Sequence, residues 1–208
     1  MNAPPRDRAH VLRELGFTIR PDGDRLRGSA TIVPEMHVPG TDTLRISVLA
    51  TWVDTMTGLL TARFIGPRVP VTLGLDVHLY RPPTGVGAVV ATAEVVKVGS
   101  EVVVASVDIA DEDDVPVGTG TGLFMVARDP ELHLPASADE LVAAMAEADG
   151  PLRTPLADRA GCERREPGVA VLPRPTTGST RRTPSTVGSS PCWSRRPRCR
   201  PTPAARCR

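Results

Sequence analysis

The sequence is poor in the residues that build disulfide frameworks, zinc sites and aromatic-rich cores. Cysteine is absent from the first 161 of the 208 residues, and Cys192, Cys199 and Cys207 have no histidine near them. A disulfide framework is not expected in a chain whose first 161 residues contain no cysteine. Zinc needs closely spaced ligands, so no metal ligand is assigned. Aromatic residues make up only 3% of the chain, so the core must consist of Val, Leu, Ile and Ala.

The sequence also lacks any apolar run long enough to span a bilayer, which takes about 20 residues. Its first residues, "MNAPPRDRAHVLREL", are not a basic segment followed by an apolar one, so no signal peptide is predicted. We therefore expect a cytoplasmic protein with no membrane association.

Charge is distributed unevenly along the chain. Residues 173–208 contain nine Arg and no Asp, Glu or Lys, so residues 1–172 carry 25 − 9 = 16 basic and 24 acidic side chains, a net charge of −8. An acidic globular part argues against a nucleic-acid partner. The basic end of the chain has no lysine and one aromatic residue, Trp193, rather than the patterned lysines and aromatics that such a partner favours.

Hydrophobic periodicity predicts one long helix among several strands. The helix covers residues 43–64 and ends before Gly66 and Pro67. Its apolar positions recur at steps of three and four, at Ile46, Leu49, Ala50, Val53, Thr57 and Leu60. Strands are predicted at 24–33, 71–80, 88–98, 101–110 and 115–127, and a capping box of Ser137 and Glu140 begins a short helix that closes at Gly150. This order predicts an α+β fold with a curved antiparallel sheet wrapped around one long central helix.

The strand at 71–80 alternates with a period of two. Its apolar residues are predicted on one face (Val71, Leu73, Leu75, Val77 and Leu79) and its polar residues on the other (Thr72, Asp76 and His78). We assign no role to His78 or to the other three histidines.

Three stretches in this order resemble the hotdog-fold acyl-CoA thioesterases of the phenylacetate-pathway type. They are the helix "VLATWVDTMTGLL", the strand "VPVTLGLDVHLYRPPTGVG" and the pattern "ATAEVVKVGSEVVVASVDIADEDDVPVGTGTGLFM". The resemblance covers residues 24–127. It implies a hotdog fold, an acyl-CoA substrate, no cofactor and thioester hydrolysis.

The resemblance also implies the site. Asp54 is the acid on the central helix, which activates water or attacks the thioester carbonyl, and Trp52, Val53 and Met56 are expected to desolvate it and raise its pKa. Backbone N–H groups at the helix start stabilise the oxyanion. The implied substrate-binding residues are Ile46, Ser47, Val48 and Thr72.

The helix start departs from the family pattern. Where the family usually has His or Asn followed by two glycines, this chain has Arg45, Ile46 and Ser47. Glycines allow a close approach to the backbone, and the Ile46 side chain is expected to crowd the oxyanion position. The alternative function is therefore a non-catalytic acyl-CoA-binding or structural hotdog half, inactive through truncation.

A second copy of the unit begins after the short helix. "RREPGVAVLP" at 164–173 resembles "RLRGSATIVP" at 25–34, with Gly168 at the place of Gly28. From residue 174 onward every residue except Val187 is of a type whose codons carry C or G at the second base. A reading frame shifted by one base explains this composition, and the restored frame permits Asn-Gly-Gly, six residues and Glu, like a second catalytic helix.

The sequence therefore predicts the first half of a tandem double hotdog with a frameshifted end. Its parts are a lead-in (1–23), the hotdog domain (24–127), a linker with a short helix (128–151), the start of the second repeat (152–173) and a disordered tail (174–208). Hotdog pockets lie between two units, so pairing into a homo-oligomer is expected.

Overall fold

A computed structural model describes residues 11–146, 150–166 and 169–171. Its elements are α1 (Val11–Glu14), β1 (Thr18–Asp22), β2 (Arg25–Thr31), a 3-10 turn (Pro34–Met36), α2 (Ile46–Ile65), β3 (Pro70–Leu79), β4 (Ala88–Val98), β5 (Val102–Asp111), β6 (Pro116–Val126), α3 (Ala138–Ala143), α4 (Leu156–Arg159), β7 (Glu163–Glu166) and β8 (Val169–Val171). The predicted α+β class is confirmed. The predicted frameshifted tail at 174–208 lies outside the described residues.

Six strands form one antiparallel sheet in the order β1-β2-β4-β5-β6-β3, and β7 pairs with β8 in a separate hairpin. Strand β1 falls within the predicted lead-in and was not expected from the sequence. Its segment contains Pro21, and only Ile19 is buried, so it shows no apolar alternation. At the opposite side of the sheet β3 is the terminal strand.

Helix α2 packs against this sheet through one face, whose buried side chains are Val48, Leu49, Trp52, Val53, Met56, Thr57 and Leu60. Trp52 stacks on Phe17, which follows α1, with 4.9 Å between ring centroids. The helix begins three residues later than predicted, with Arg45 as its N-cap residue. Ile46 was predicted within the apolar stripe, but this is wrong. It is the first helical residue, beyond the packed face, and it is 53% exposed.

Glycines of β6 allow α2 to lie close to the sheet. A Cβ atom at Gly120 would lie 2.5 Å from Cγ1 of Val53, and one at Gly122 would collide with Oγ1 of Thr57. Carbon atoms in contact are normally about 3.5–4.0 Å apart, so neither position has room for a side chain. The "GTGTG" stretch of β6 therefore sets the distance between helix and sheet.

A bulge in β3 overturns the predicted alternation of that strand. The pairing register with β6 shifts between Thr72 and Gly74, so Leu73 is the extra residue. Because cross-strand partners share a face, Thr72 lies on the helix side with its partner Phe124, as Leu75 does with Gly122. Thr72 was predicted on the polar face, and the bulge turns it inward, while Leu73 is left 50% exposed.

Candidate active site

Asp54 and Thr72 meet where α2 crosses β3. Asp54 projects from the third turn of the helix and is half-buried. The Thr72 hydroxyl donates a hydrogen bond to Oδ1 of Asp54 across 3.0 Å. The bulge in β3 makes this contact possible, since a regular strand would direct Thr72 away from the helix. The structure thus brings together Asp54 and Thr72, which the family resemblance implied in separate roles. The Thr72 hydroxyl lies against the carboxylate.

Burial raises the pKa of the Asp54 carboxyl group above its ordinary value, and the hydrogen bond from Thr72 partly offsets this by stabilising the carboxylate. Trp52, Val53 and Met56, which were expected to desolvate Asp54, are all buried in the core. A carboxylate with a raised pKa is a stronger base than an ordinary aspartate. Such a group can act as a general base towards a bound water.

The first turn of α2 carries the predicted oxyanion donors. The N–H groups at the start of any helix have no acceptor within the helix, and the helix dipole makes this end positive. Ile46 and Ser47 are the first two helical residues, and both are exposed. The Ile46 side chain therefore extends into open space rather than filling a closed pocket.

Val48, which the resemblance implies as a substrate-binding residue, has a different environment from Ile46 and Ser47. Its side chain is fully buried. Its N–H donates to the carbonyl oxygen of Arg45 across 3.0 Å, which tightens the first turn. The backbone N–H groups that remain for an oxyanion are therefore those of Ile46 and Ser47, in the first turn of the helix.

Arg45 places a positive charge at this end of the helix. It stands where the family usually has His or Asn. Its Nε donates to the carbonyl oxygen of His37 across 2.8 Å. One buried guanidinium nitrogen of Arg45 and Nε2 of His37 have no hydrogen-bond partner among the described residues. No acidic residue occupies the first turn. The start of α2 thus favours an anion or a developing negative charge.

Other kinds of site that the described residues could form are metal sites, membrane-spanning helices and surface depressions. No group of three His, Cys, Asp or Glu side chains among them could hold a metal ion. No helix in the described ranges is long and apolar enough to cross a bilayer. Two surface depressions, one beside Arg63 and Ser137 and one beside Arg20 and Arg27, do not include Asp54.

Comparison with known families places the central helix, strands β3 to β5 and the start of β6 within one family match. Residues 47–117 match the thioesterase superfamily, a region that runs from the first turn of α2 into β6 and contains both Asp54 and Thr72. A protein of Halobacterium salinarum named "Putative esterase" is 35% identical over an alignment of 102 residues that covers 45% of this chain. The matched region spans 66% of that relative's length, just under two thirds.

Solved structures confirm the predicted hotdog fold. A thioesterase from Haemophilus influenzae has a TM-score of 0.53 at 20% identity, with coverage of 58% of this chain and 85% of that one. AziG of S. sahachiroi has a TM-score of 0.52 at 23% identity and covers 58% and 98%. A single-residue variant of a Staphylococcus aureus thioesterase has a TM-score of 0.52 at 18% identity and covers 57% and 98%. At these identities the likeness concerns the fold alone.

Proposed function

We propose that this chain is a hotdog unit of an acyl-CoA thioesterase and that Asp54 is its general base. The observation that carries the proposal is the half-buried Asp54 carboxylate, with its raised pKa and its single side-chain partner Thr72. The match of residues 47–117 to the thioesterase superfamily supports the reaction class.

The proposed reaction starts when the Asp54 carboxylate removes a proton from a water molecule. The water oxygen attacks the thioester carbonyl carbon, and the carbonyl oxygen becomes an oxyanion that accepts hydrogen bonds from backbone N–H groups. The C–S bond then breaks, and the proton passes to the leaving sulfur. The products are a carboxylic acid and free coenzyme A, with no change of oxidation state.

The site needs two units, because one helix cannot supply both groups to one carbonyl. Ile46 and Asp54 are eight residues apart on α2, which at the helical rise is about 12 Å. A reacting carbonyl must lie about 3 Å from both the donors and the activated water. We propose that Asp54 of one unit works with the first helical turn of another.

Exposed apolar groups beside the site support such pairing. On β3, the terminal strand of the sheet, Leu73 is 50% exposed and the following Tyr80 is 63% exposed. Phe64 on α2 is also exposed. Unpaired strand edges with apolar side chains readily pair with another strand. The second unit comes either from a second copy of this chain or from a second repeat in a tandem double hotdog, which the reconstructed frame of residues 174–208 predicts.

Thiol release and binding separate this function from the non-catalytic alternative. The purified chain is incubated with short, long and aromatic acyl-CoAs, and free thiol is followed over time. A non-hydrolysable thioether analogue of each substrate measures binding by calorimetry. Turnover of at least one thioester supports the enzyme. Binding of the analogue without turnover of the corresponding thioester supports the acyl-CoA-binding alternative, which the lack of the family's glycines at the helix start favours.

A further inference from the structure

The backbone around α4 repeats the backbone around α1. The second residue after each short helix is a glycine with a positive φ, +64° at Gly16 and +74° at Gly161. Each glycine N–H donates to a carbonyl three residues back, Gly16 to Arg13 across 3.2 Å and Gly161 to Asp158 across 3.0 Å. Left-handed glycines of this kind end helices. The two helices therefore end in the same way.

The equivalence continues into the strands that follow. Strand β1 begins at Thr18 and β7 at Glu163, each two residues after its glycine, and each strand pairs antiparallel with the next one. The offset is 145 residues at both the glycine and the start of the strand (161 − 16 and 163 − 18). The second hairpin is shorter. A helix, a glycine cap and a hairpin thus occur twice in the same order.

The two segments contact each other at equivalent positions. Glu14 and Arg159 differ by the same 145 residues, and each is the last residue of its helix. Their side chains form a bidentate ion pair, with Arg159 Nε 2.5 Å from Oε2 and a terminal guanidinium nitrogen 2.8 Å from Oε1 of Glu14. Both side chains are only about a fifth exposed, at 21% and 20%. Such pairs are stronger and more specific in geometry than single contacts.

A contact between equivalent positions is what a two-fold relation between two units produces at its axis. In a symmetric pair of identical units the residues on the axis are identical. Here one is an acid and the other a base. A symmetric pair of first units through the same surface would bring two Glu14 carboxylates together, and like charges in a partly buried contact are unfavourable.

We propose that residues 156–171 are the first elements of a second unit, docked on the first, and that the Glu14–Arg159 pair makes this docking selective for unlike units. The surface at Glu14 accepts the equivalent helix and hairpin when they carry a base at that position, and it disfavours a second copy of itself. The proposal rests on the tandem arrangement proposed above but not on any role of Asp54.

Charge reversal in the full chain tests the proposal, with the thiol of Cys162 as the reporter. Cys162 is half-buried and follows Gly161 directly. The variants are E14R, R159E and the double swap E14R/R159E. Each is reacted with N-ethylmaleimide, and modification of the Cys162 peptide is followed by mass spectrometry. We expect each single reversal to speed labelling about five- to tenfold because it places like charges together, and the double swap to return it to within about twofold of wild type.

The matched control is R25E, which breaks the exposed ion pair of Arg25 with Glu94 (3.0 Å) elsewhere on the sheet and is expected to leave Cys162 labelling unchanged. If a single reversal unfolds the chain by circular dichroism, E14Q and R159Q replace it. Unchanged labelling in both single variants, a double swap as fast as the singles, or equal acceleration by R25E would each overturn the proposal. Labelling needs no turnover, so D54N must label like wild type, and the outcome does not depend on whether the chain is a thioesterase.

Discussion

Gly120→Ala is predicted to push the central helix off the sheet. The new Cβ atom would lie 2.5 and 2.6 Å from the two Cγ atoms of Val53, about 1 Å inside normal contact. A valine in a helix has essentially one side-chain rotamer, so Val53 cannot turn away and α2 must move. Overpacking of this kind costs about 2 kcal/mol. For a domain of this size the Tm should fall by about 4–8 °C.

The matched control is Gly74→Ala in the neighbouring strand β3. There the nearest atom to a new Cβ is Cβ of Leu123 at 3.8 Å, an ordinary contact, so stability should change by less than about 0.5 kcal/mol. Thermal and urea unfolding of both variants measure the difference. Adding Val53→Ala to Gly120→Ala should cost less than the sum of the two single changes, because the colliding methyl groups are gone. A Gly120 variant as stable as wild type, or one no worse than the Gly74 variant, would refute the proposed packing.

Three further outcomes follow from the contacts around the site. Gly58→Ala should raise the free energy of unfolding by about 0.5–1 kcal/mol in chemical denaturation, since a Cβ there meets Phe124 at an ordinary 3.5 Å and alanine favours a helix. Thr72→Val should raise the pKa of Asp54 further by removing the hydrogen bond to the carboxylate, so the acidic limb of the profile of kcat/KM against pH should move to higher pH, while Thr72→Ser should leave it in place. Asp54→Asn should stabilise the fold at neutral pH. Burial raises the pKa of Asp54 in the folded state above its pKa in the unfolded state, so wild type loses stability as the pH rises from the unfolded-state pKa to the folded-state pKa. In urea unfolding, the difference in stability between the two proteins should therefore vanish below the ordinary aspartate pKa.

The sequence predicts the elements of this fold better than their exact geometry. Strands β2, β4, β5 and β6 and the central helix follow from apolar periodicity, because each has a buried and a more exposed face. Strand β1 has no such periodicity, since Ile19 is its single buried residue and pairing with β2 holds it in place. The helix start was placed three residues too early, and Leu44 is buried in the loop before α2 rather than in the helix.

The site depends on a feature that alternation alone hides. A period of two puts Thr72 on the face opposite to Leu75, and only the bulge at Leu73 reverses this. The glycine at position 74 was the available signal, because an isolated glycine within a strand often marks a bulge. Asp54 could be selected from the helix and the family resemblance. The hydrogen bond from Thr72 to Asp54, and the one from the Val48 N–H to Arg45, could be recognised only from the register and the hydrogen bonds of the folded chain.

We propose above that Asp54 is the general base that activates water for thioester hydrolysis. The most direct measurement is kcat/KM for free-thiol release by wild type, D54N and D76N at one pH, on the best acyl-CoA from the panel. Asp76 is an exposed aspartate on the outer side of β3 and serves as the matched control. We expect kcat/KM to fall by about 100- to 10,000-fold for D54N and to stay unchanged for D76N. Equal turnover by wild type and D54N would contradict it.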